Sequence, residues 1–248
     1  MNYGIIIPCY NEEKNIVSLI TKIKKSSNPK YIILIDDSKK SMKNILPKKQ
    51  IIYVHRKEKL GRGSAVIHGM KILIKKKIKI FIEMDADHSH NPYEIRKKLK
   101  IFSEKNLDLL IASRYEKKSK IIGWPFKRRI LSKLANYLAL FLLKIPVSDF
   151  TNGFRIYSIR AVTRLLKSIK NNSSEFIILS EIIAELYYNN YLVYCVDTKF
   201  TERKFGRSSV DLGLILRSFL GLLMIFLKYK KKLFNINLKL HSLITLYK

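Results

Sequence analysis

Ile80-Phe81-Ile82-Glu83-Met84-Asp85-Ala86-Asp87-His88-Ser89-His90-Asn91-Pro92 carries the reading of this chain. The apolar run Ile78–Met84 suits a buried strand, and it ends on two closely spaced carboxylates, Asp85 and Asp87. Acids placed in this way make a site for a hard divalent cation, Mg²⁺ or Mn²⁺, which can in turn grip a diphosphate. The same letters also fit a plain strand end with solvated acids and a turn at Asn91-Pro92. The rest of the chain has to decide.

Working outward, the first half alternates short apolar runs with helical stretches. Tyr3–Ile7, Tyr31–Ile35, Ile51–Val54, Lys79–Met84 and Leu107–Ala112 read as buried strands. Glu12–Lys25, Gly63–Lys76 and Tyr93–Lys105 carry helical periodicity. This rhythm predicts an α/β fold, a mostly parallel sheet flanked by helices. Ligands of such sheets bind at the carboxyl ends of the strands. Three polar segments fall there: Pro8–Glu12, Asp36–Ser38 and Asp85–His90.

The second half changes character. Pro125–Leu143 reads as a helix with Pro125 near its start; Leu131, Leu134, Leu138 and Leu142 line one face, and Arg129, Ser132, Lys133 and Asn136 another. A strand-like Phe154–Tyr157, a helix near Ser180–Asn189, a strand over Tyr191–Val196 and a polar segment at Lys199–Ser209 follow. Leu212–Leu227 is apolar but contains Arg217 and is shorter than the ~20 residues that span a bilayer. It reads as a helix lying in a membrane interface, followed by basic Lys228–Lys232; an ordinary core-packed helix fits it too. The expected division is a catalytic domain over 1–210 and a membrane-associating helix and basic tail over 211–248.

The 248 residues carry a formal net charge of +30. Such a surface attracts anionic lipid, phosphorylated substrates or nucleic acid. The lysines are spread along the chain, and no zinc-finger spacing or ribonucleoprotein-type aromatic motif accompanies them, so no nucleic-acid partner is expected. The two cysteines, Cys9 and Cys195, have no metal-type spacing and fit a reducing compartment. With no signal-peptide pattern at the start, the expected location is the cytoplasm, peripheral on the cytoplasmic face of a membrane.

Singly, each polar segment has an ordinary explanation. Asn11 could cap a helix, Asp36-Asp37 could open a turn, and Arg114 or Arg203 could pair at the surface. In order and spacing, however, Pro8-x-Tyr10-Asn11-Glu12, Asp36-Asp37, Asp85-Ala86-Asp87 with Ser89-His90 and Pro92, Ser113-Arg114-Tyr115, Gly123-Trp124 with Arg128-Arg129 and Ser132, Ser148-Asp149 with Gly153-Phe154-Arg155, and Arg203 with Gly206 and Ser208 resemble one family. It is the polyprenyl-phosphate branch of the large inverting, GT-A-type family 2 glycosyltransferases, the dolichyl-phosphate mannosyltransferases above all.

The resemblance implies a role for each matching residue. Pro8, Tyr10, Glu12, Ile35 and Asp37 would hold the nucleoside of a nucleotide sugar, GDP-mannose by preference. Asp85, Ala86 and Asp87 would line the ribose and diphosphate. Asp87 would ligate Mg²⁺ or Mn²⁺ with Ser89 nearby. Arg114 and Arg203 would contact the donor, and Arg128 or Arg129 the phosphate of a polyprenyl phosphate at an anionic membrane surface. Two departures stand out. Asp37 runs into Ser38-Lys39-Lys40-Ser41 rather than a glycine turn, and Ser209 stands where the family often has lysine, with Arg207 as a substitute charge. UDP-glucose is the alternative donor. A glycan hydroxyl is the alternative acceptor, and it would call on His88 or His90 as base.

Overall fold

The computed structural model describes residues 1–169, 177–203 and 219–232. The strands are β1 (Tyr3–Cys9), β2 (Tyr31–Asp36), β3 (Ile51–His55), β4 (Ile80–Glu83), β5 (Leu109–Ser113), β6 (Lys120–Ile122), β7 (Arg155–Ser158), β8 (Val193–Asp197) and β9 (Lys199–Thr201). The helices are α1 (Glu13–Ser26), α2 (Arg62–Lys75), α3 (Ile95–Glu104), α4 (Phe126–Leu143), α5 (Ile159–Ser168) and α6 (Ile177–Tyr187), with residues 219–232 also helical.

The main sheet has the order β3-β2-β1-β4-β7-β5-β8. Its pairs are parallel except those of β7, which runs antiparallel to both β4 and β5. The strands are continuous apolar runs because helices cover both faces. Alternation along β1 divides the core: Ile6 faces α2, α5 and α6, whereas Ile5 and Ile7 face α1 and α3. On α1 the buried Ile16, Leu19, Ile20 and Ile23 recur at helical spacing. On α2, Gly69 packs so closely on β1 that a Cβ there would come within 2.5 Å of the Ile6 side chain. Burying each such Ile or Leu stabilises the fold by roughly 1.5–3 kcal/mol.

Chain order reverses between β1 and β4. From β1 the chain passes to β2 and β3 on one side, then returns to β4 on the other. The crevice beyond the carboxyl ends of two such strands is where ligands of open α/β sheets bind. Here it lies between the β1–α1 loop and Asp85–Ser89. The small β6–β9 sheet closes one side, bringing Gly123-Trp124 against Glu202.

The leucine stripe of α4 divides along the helix: Leu138 and Leu142 pack against the core, and Leu131 and Leu134 do not. Asn136, Ala139 and Leu143 are buried, whereas Leu131 and Leu134 are about half exposed and Phe126, Tyr137 and Phe141 more so. The burial of Asn136 has a polar cause. Asn136 accepts from Phe150 N at 2.6 Å, which fastens this part of the helix to the domain, and donates to Ser132 O within α4 at 2.8 Å. Helix 219–232 packs Leu222, Ile225 and Tyr229 into the core and leaves Phe219, Leu220, Leu223, Met224 and Leu227 exposed. Among the described residues no helix is long and apolar enough to cross a membrane. Gly206, Arg207, Ser208, Ser209, Arg217 and the tail 233–248 lie outside the described residues.

Candidate active site

After β1 the chain turns at Asn11 (φ 57°), whose N–H donates to Ser38 Oγ at 2.8 Å and ties this loop to the end of β2. Tyr10 is exposed, with Lys59 Nζ 4.2 Å from its ring centroid. That is a face on which a base could stack. Ile35 is fully buried in the core, and Pro8 is half-buried. Asp37 is more heavily engaged than a base-reading acid would be. Arg56 Nε and Nη2 (the latter at 2.7 Å) and the backbone N–H groups of Leu60 (3.1 Å) and Gly61 (3.0 Å) all donate to it. Asp37 thus shapes the loop that leads into α2.

That loop delivers Arg62, which the sequence reading passed over. Arg62 donates to Asp85 Oδ1 from Nη2 (2.8 Å) and Nε (3.2 Å), and from Nη1 to Glu83 Oε1 (2.5 Å). Glu83 is fully buried and also accepts from Tyr157 OH at 2.5 Å. Gly153 makes room for the guanidinium; a Cβ there would sit 2.0 Å from Arg62 Nη2. Burial pushes the Asp85 carboxyl up, but the Arg62 guanidinium, with Arg203 beyond it, outweighs it and holds it at about 2. Asp85 is therefore an ionised, oriented carboxylate. Ala86, between the two acids, is buried.

Asp87 Oδ1 accepts from Ser89 N at 3.0 Å, and Asp87 Oδ2 lies 3.4 Å from Arg203 Nη2. The Ser89 hydroxyl is buried and has no hydrogen-bond partner among the described residues. A buried orphan oxygen beside a carboxylate is a donor set that suits a hard cation. No group of three or more His, Cys, Asp and Glu able to hold a metal occurs among the described residues. An ion of the Mg²⁺ type keeps waters and takes ligands from substrate phosphates, so it would need few from the protein.

Three further arginines are held by partners of their own. Arg114 is buried and paired with Asp149, donating from Nε and Nη2 at 2.8 Å each, and from Nη2 also to Thr151 Oγ1 (2.5 Å). Its guanidinium lies 5.2–5.4 Å from the ring centroids of Trp124 and Phe200. Arg114 thus spends two nitrogens, Nε and Nη2, on the Asp149 loop. Arg128 Nη1 donates to both oxygens of Glu202 at 2.7 Å, and Arg129 Nη2 donates to Ile121 O at 3.0 Å. Glu12, Asp85, Asp87 and Arg203 thus share one field, while Asp37 reaches it through the loop it anchors.

The family model for glycosyl transferase family 2 matches residues 4–166. The chain belongs to that family. As a family 2 glycosyltransferase it is similar to the polyprenol monophosphomannose synthase of Mycolicibacterium smegmatis, with 29% identity over 214 residues that cover 84% of this chain and 80% of that protein. Its fold is similar to that of glucosyl-3-phosphoglycerate synthase from Mycobacterium tuberculosis, solved with Mn²⁺, uridine diphosphate and phosphoglyceric acid. The TM-score is 0.69 at 16% identity, over 91% of this chain and 78% of that one.

For this glycosyltransferase the sequence reading omitted Arg56, Arg62, Glu83, Asn152 and Glu202. A signal for Arg62 was present: Leu60-Gly61-Arg62-Gly63-Ser64 follows β3 and opens α2, with Gly61 at φ 82°. The others declare themselves only through partners distant in sequence.

Glu12 supplies a pH test. Burial pushes its carboxyl up to about 7, the Asp87 and Asp85 carboxylates add to the rise, and Asn15 and Arg203 offset it in part. The folded protein then binds this proton more tightly than the unfolded chain, whose value is 4.5. The resulting stabilisation is complete below 4.5 and lost as pH rises through about 7. Glu12→Gln should flatten the fall of Tm between mildly acidic and mildly alkaline buffers, read by scanning fluorimetry without nucleotide. An unchanged slope in the variant would mean Glu12 titrates normally.

Proposed function

We propose that this family 2 glycosyltransferase moves mannose from GDP-mannose to a polyprenyl phosphate, inverting the anomeric centre. The similarity to a polyprenol monophosphomannose synthase supports the sugar and the acceptor class. The observation that carries the phosphate acceptor over a hydroxyl is the state of the two candidate bases. His90 Nδ1 accepts from Asp85 N at 3.1 Å, which leaves Nε2 to donate to Asn152 Oδ1 at 2.9 Å; the ring is buried between Phe154 and Phe200. His88 is bonded to Ser18 Oγ at 2.7 Å. A sugar hydroxyl needs a base as it attacks, whereas a phosphate monoester is already anionic.

In this reading Pro8, Tyr10 and Glu12 surround the nucleoside, Ile35 supports them from the core as the sheet partner of Pro8, and Asp37 acts through its loop. Asp87 and Ser89 hold Mg²⁺ or Mn²⁺. When bound, the ion neutralises the diphosphate and so favours its departure. Asp85, fixed by Arg62, faces the ribose or donor sugar. Arg203 exchanges Asp87 for donor phosphate oxygens. Arg128 and Arg129 draw the acceptor anion towards an anionic donor, which offsets the repulsion that otherwise dominates the barrier. Polyprenyl phosphate and the corresponding polyprenol, each offered with GDP-mannose and Mg²⁺, test this directly. Product should form only from the phosphate, and comparable transfer to the alcohol would refute the reading.

Residues 211–248 are proposed as the membrane-associating segment, working with α4. The exposed apolar residues of α4 and of helix 219–232, with Lys127, Arg129, Lys133 and Lys228 near them, suit the surface of an anionic bilayer in which the acceptor is dissolved. Replacing Leu134 and Phe141 together by aspartate should weaken sedimentation with anionic vesicles about tenfold or more, since burying one such side chain contributes roughly 1.5–3 kcal/mol. Activity on a short, water-soluble acceptor should persist. Unchanged sedimentation would exclude α4 from the contact.

A further inference from the structure

Arg128 stands on the first turn of α4 and already holds an anion, the Glu202 carboxylate. Several features build this contact. Glu202 N donates to Ile122 O at 2.8 Å, continuing the β6–β9 pairing. Gly123, at φ 84°, leaves space where a Cβ would meet the Glu202 Cβ at 2.9 Å. The Arg128 guanidinium lies over Trp124, 4.3 Å from the ring centroid. The Trp124 indole N–H is itself buried and has no hydrogen-bond partner among the described residues.

A carboxylate and a phosphate make the same demand on an arginine, namely oxygens that accept its N–H groups. They differ in charge, since a phosphate monoester carries about −1.5 to −2 at neutral pH and offers three acceptor oxygens. We infer that Glu202 occupies the seat of the acceptor phosphate on Arg128 and makes that seat selective for phosphate monoesters. A singly charged anion would replace one unit of charge with another and gain little. A monoester brings more charge and a third oxygen, and displaces Glu202. The inference rests on Arg128 being the acceptor's partner, as proposed above.

Farnesyl phosphate and its singly charged methyl ester serve as probes. Glu202→Gln is nearly isosteric and removes the competing charge. It should lower the KM for farnesyl phosphate about two- to fivefold, the range of a partly exposed ion pair at tenfold per 1.4 kcal/mol. The donor KM should not move, and the methyl ester should become a measurable competitive inhibitor. If Glu202 only props Arg128, Glu202→Gln will raise the farnesyl phosphate KM, which overturns the inference. Arg128→Gln separates the two claims. An unchanged farnesyl phosphate KM in that variant removes the seat, and the inference with it. A raised KM there, with an unchanged or raised KM in Glu202→Gln, overturns the inference alone.

Discussion

Asp87→Ala is expected to lower turnover on the order of 10³-fold while leaving the fold intact. Among the described residues Asp87 accepts one backbone N–H, from Ser89, and lies 3.4 Å from Arg203, so its removal strips little from the described core. What it removes is the carboxylate proposed to hold the divalent ion, whose neutralisation of the leaving diphosphate is worth several kcal/mol in the transition state, or roughly three powers of ten in rate. Arg203 also loses its ion pair with Asp87. The check is kcat at saturating Mg²⁺ together with Tm. Near-normal turnover in the variant would mean the metal is held elsewhere, and a collapsed Tm would mean that Asp87 is structural.

Asp149→Ala should act on stability instead. Asp149 is fully buried and accepts from Arg114 Nε, Nη2 and N and from the backbone N–H groups of Thr151 and Asn152. Truncation leaves a buried guanidinium without its counter-ion and several N–H groups without acceptors. Breaking a buried pair in this way costs about 3–5 kcal/mol, which in a chain of this size lowers Tm by about 10 °C. Burial pushes the Asp149 carboxyl up, but Arg114 and the N–H donors hold it below its usual value of 3.8. Its contribution is therefore full above 3.8 and lost as pH falls below it. Thermal melts of the two proteins should converge in acid, and a variant melting within a degree or two of the parent at neutral pH would contradict this account.

How far the letters alone reach depends on the range of the interactions. The strands around the site come out within two residues of their final bounds because a parallel strand covered on both faces has to be apolar throughout, as Ile5–Ile7 and Ile32–Ile35 are. The acids at their ends follow from topology. β7 entering antiparallel between β4 and β5 does not, because Arg155–Ser158 reads equally well in either direction. The burial of Asn136 on α4 is set by its bond to Phe150 N, a contact between separate segments that helical periodicity cannot register. Arginines are the hardest to place. Arg114, Arg128 and Arg203 look alike in sequence, yet one is buried on Asp149, one is held by Glu202 and one is drawn towards Asp87. Partner choice, rather than residue type, separates their roles.

The most direct measurement incubates the protein with polyprenyl phosphate in vesicles, Mg²⁺ and each of a panel of sugar-labelled nucleotides, GDP-mannose and UDP-glucose among them, then partitions the mixture into organic solvent. The account predicts label in the organic phase from GDP-mannose, lost when the divalent ion is chelated. No label in the organic phase from any donor would contradict it.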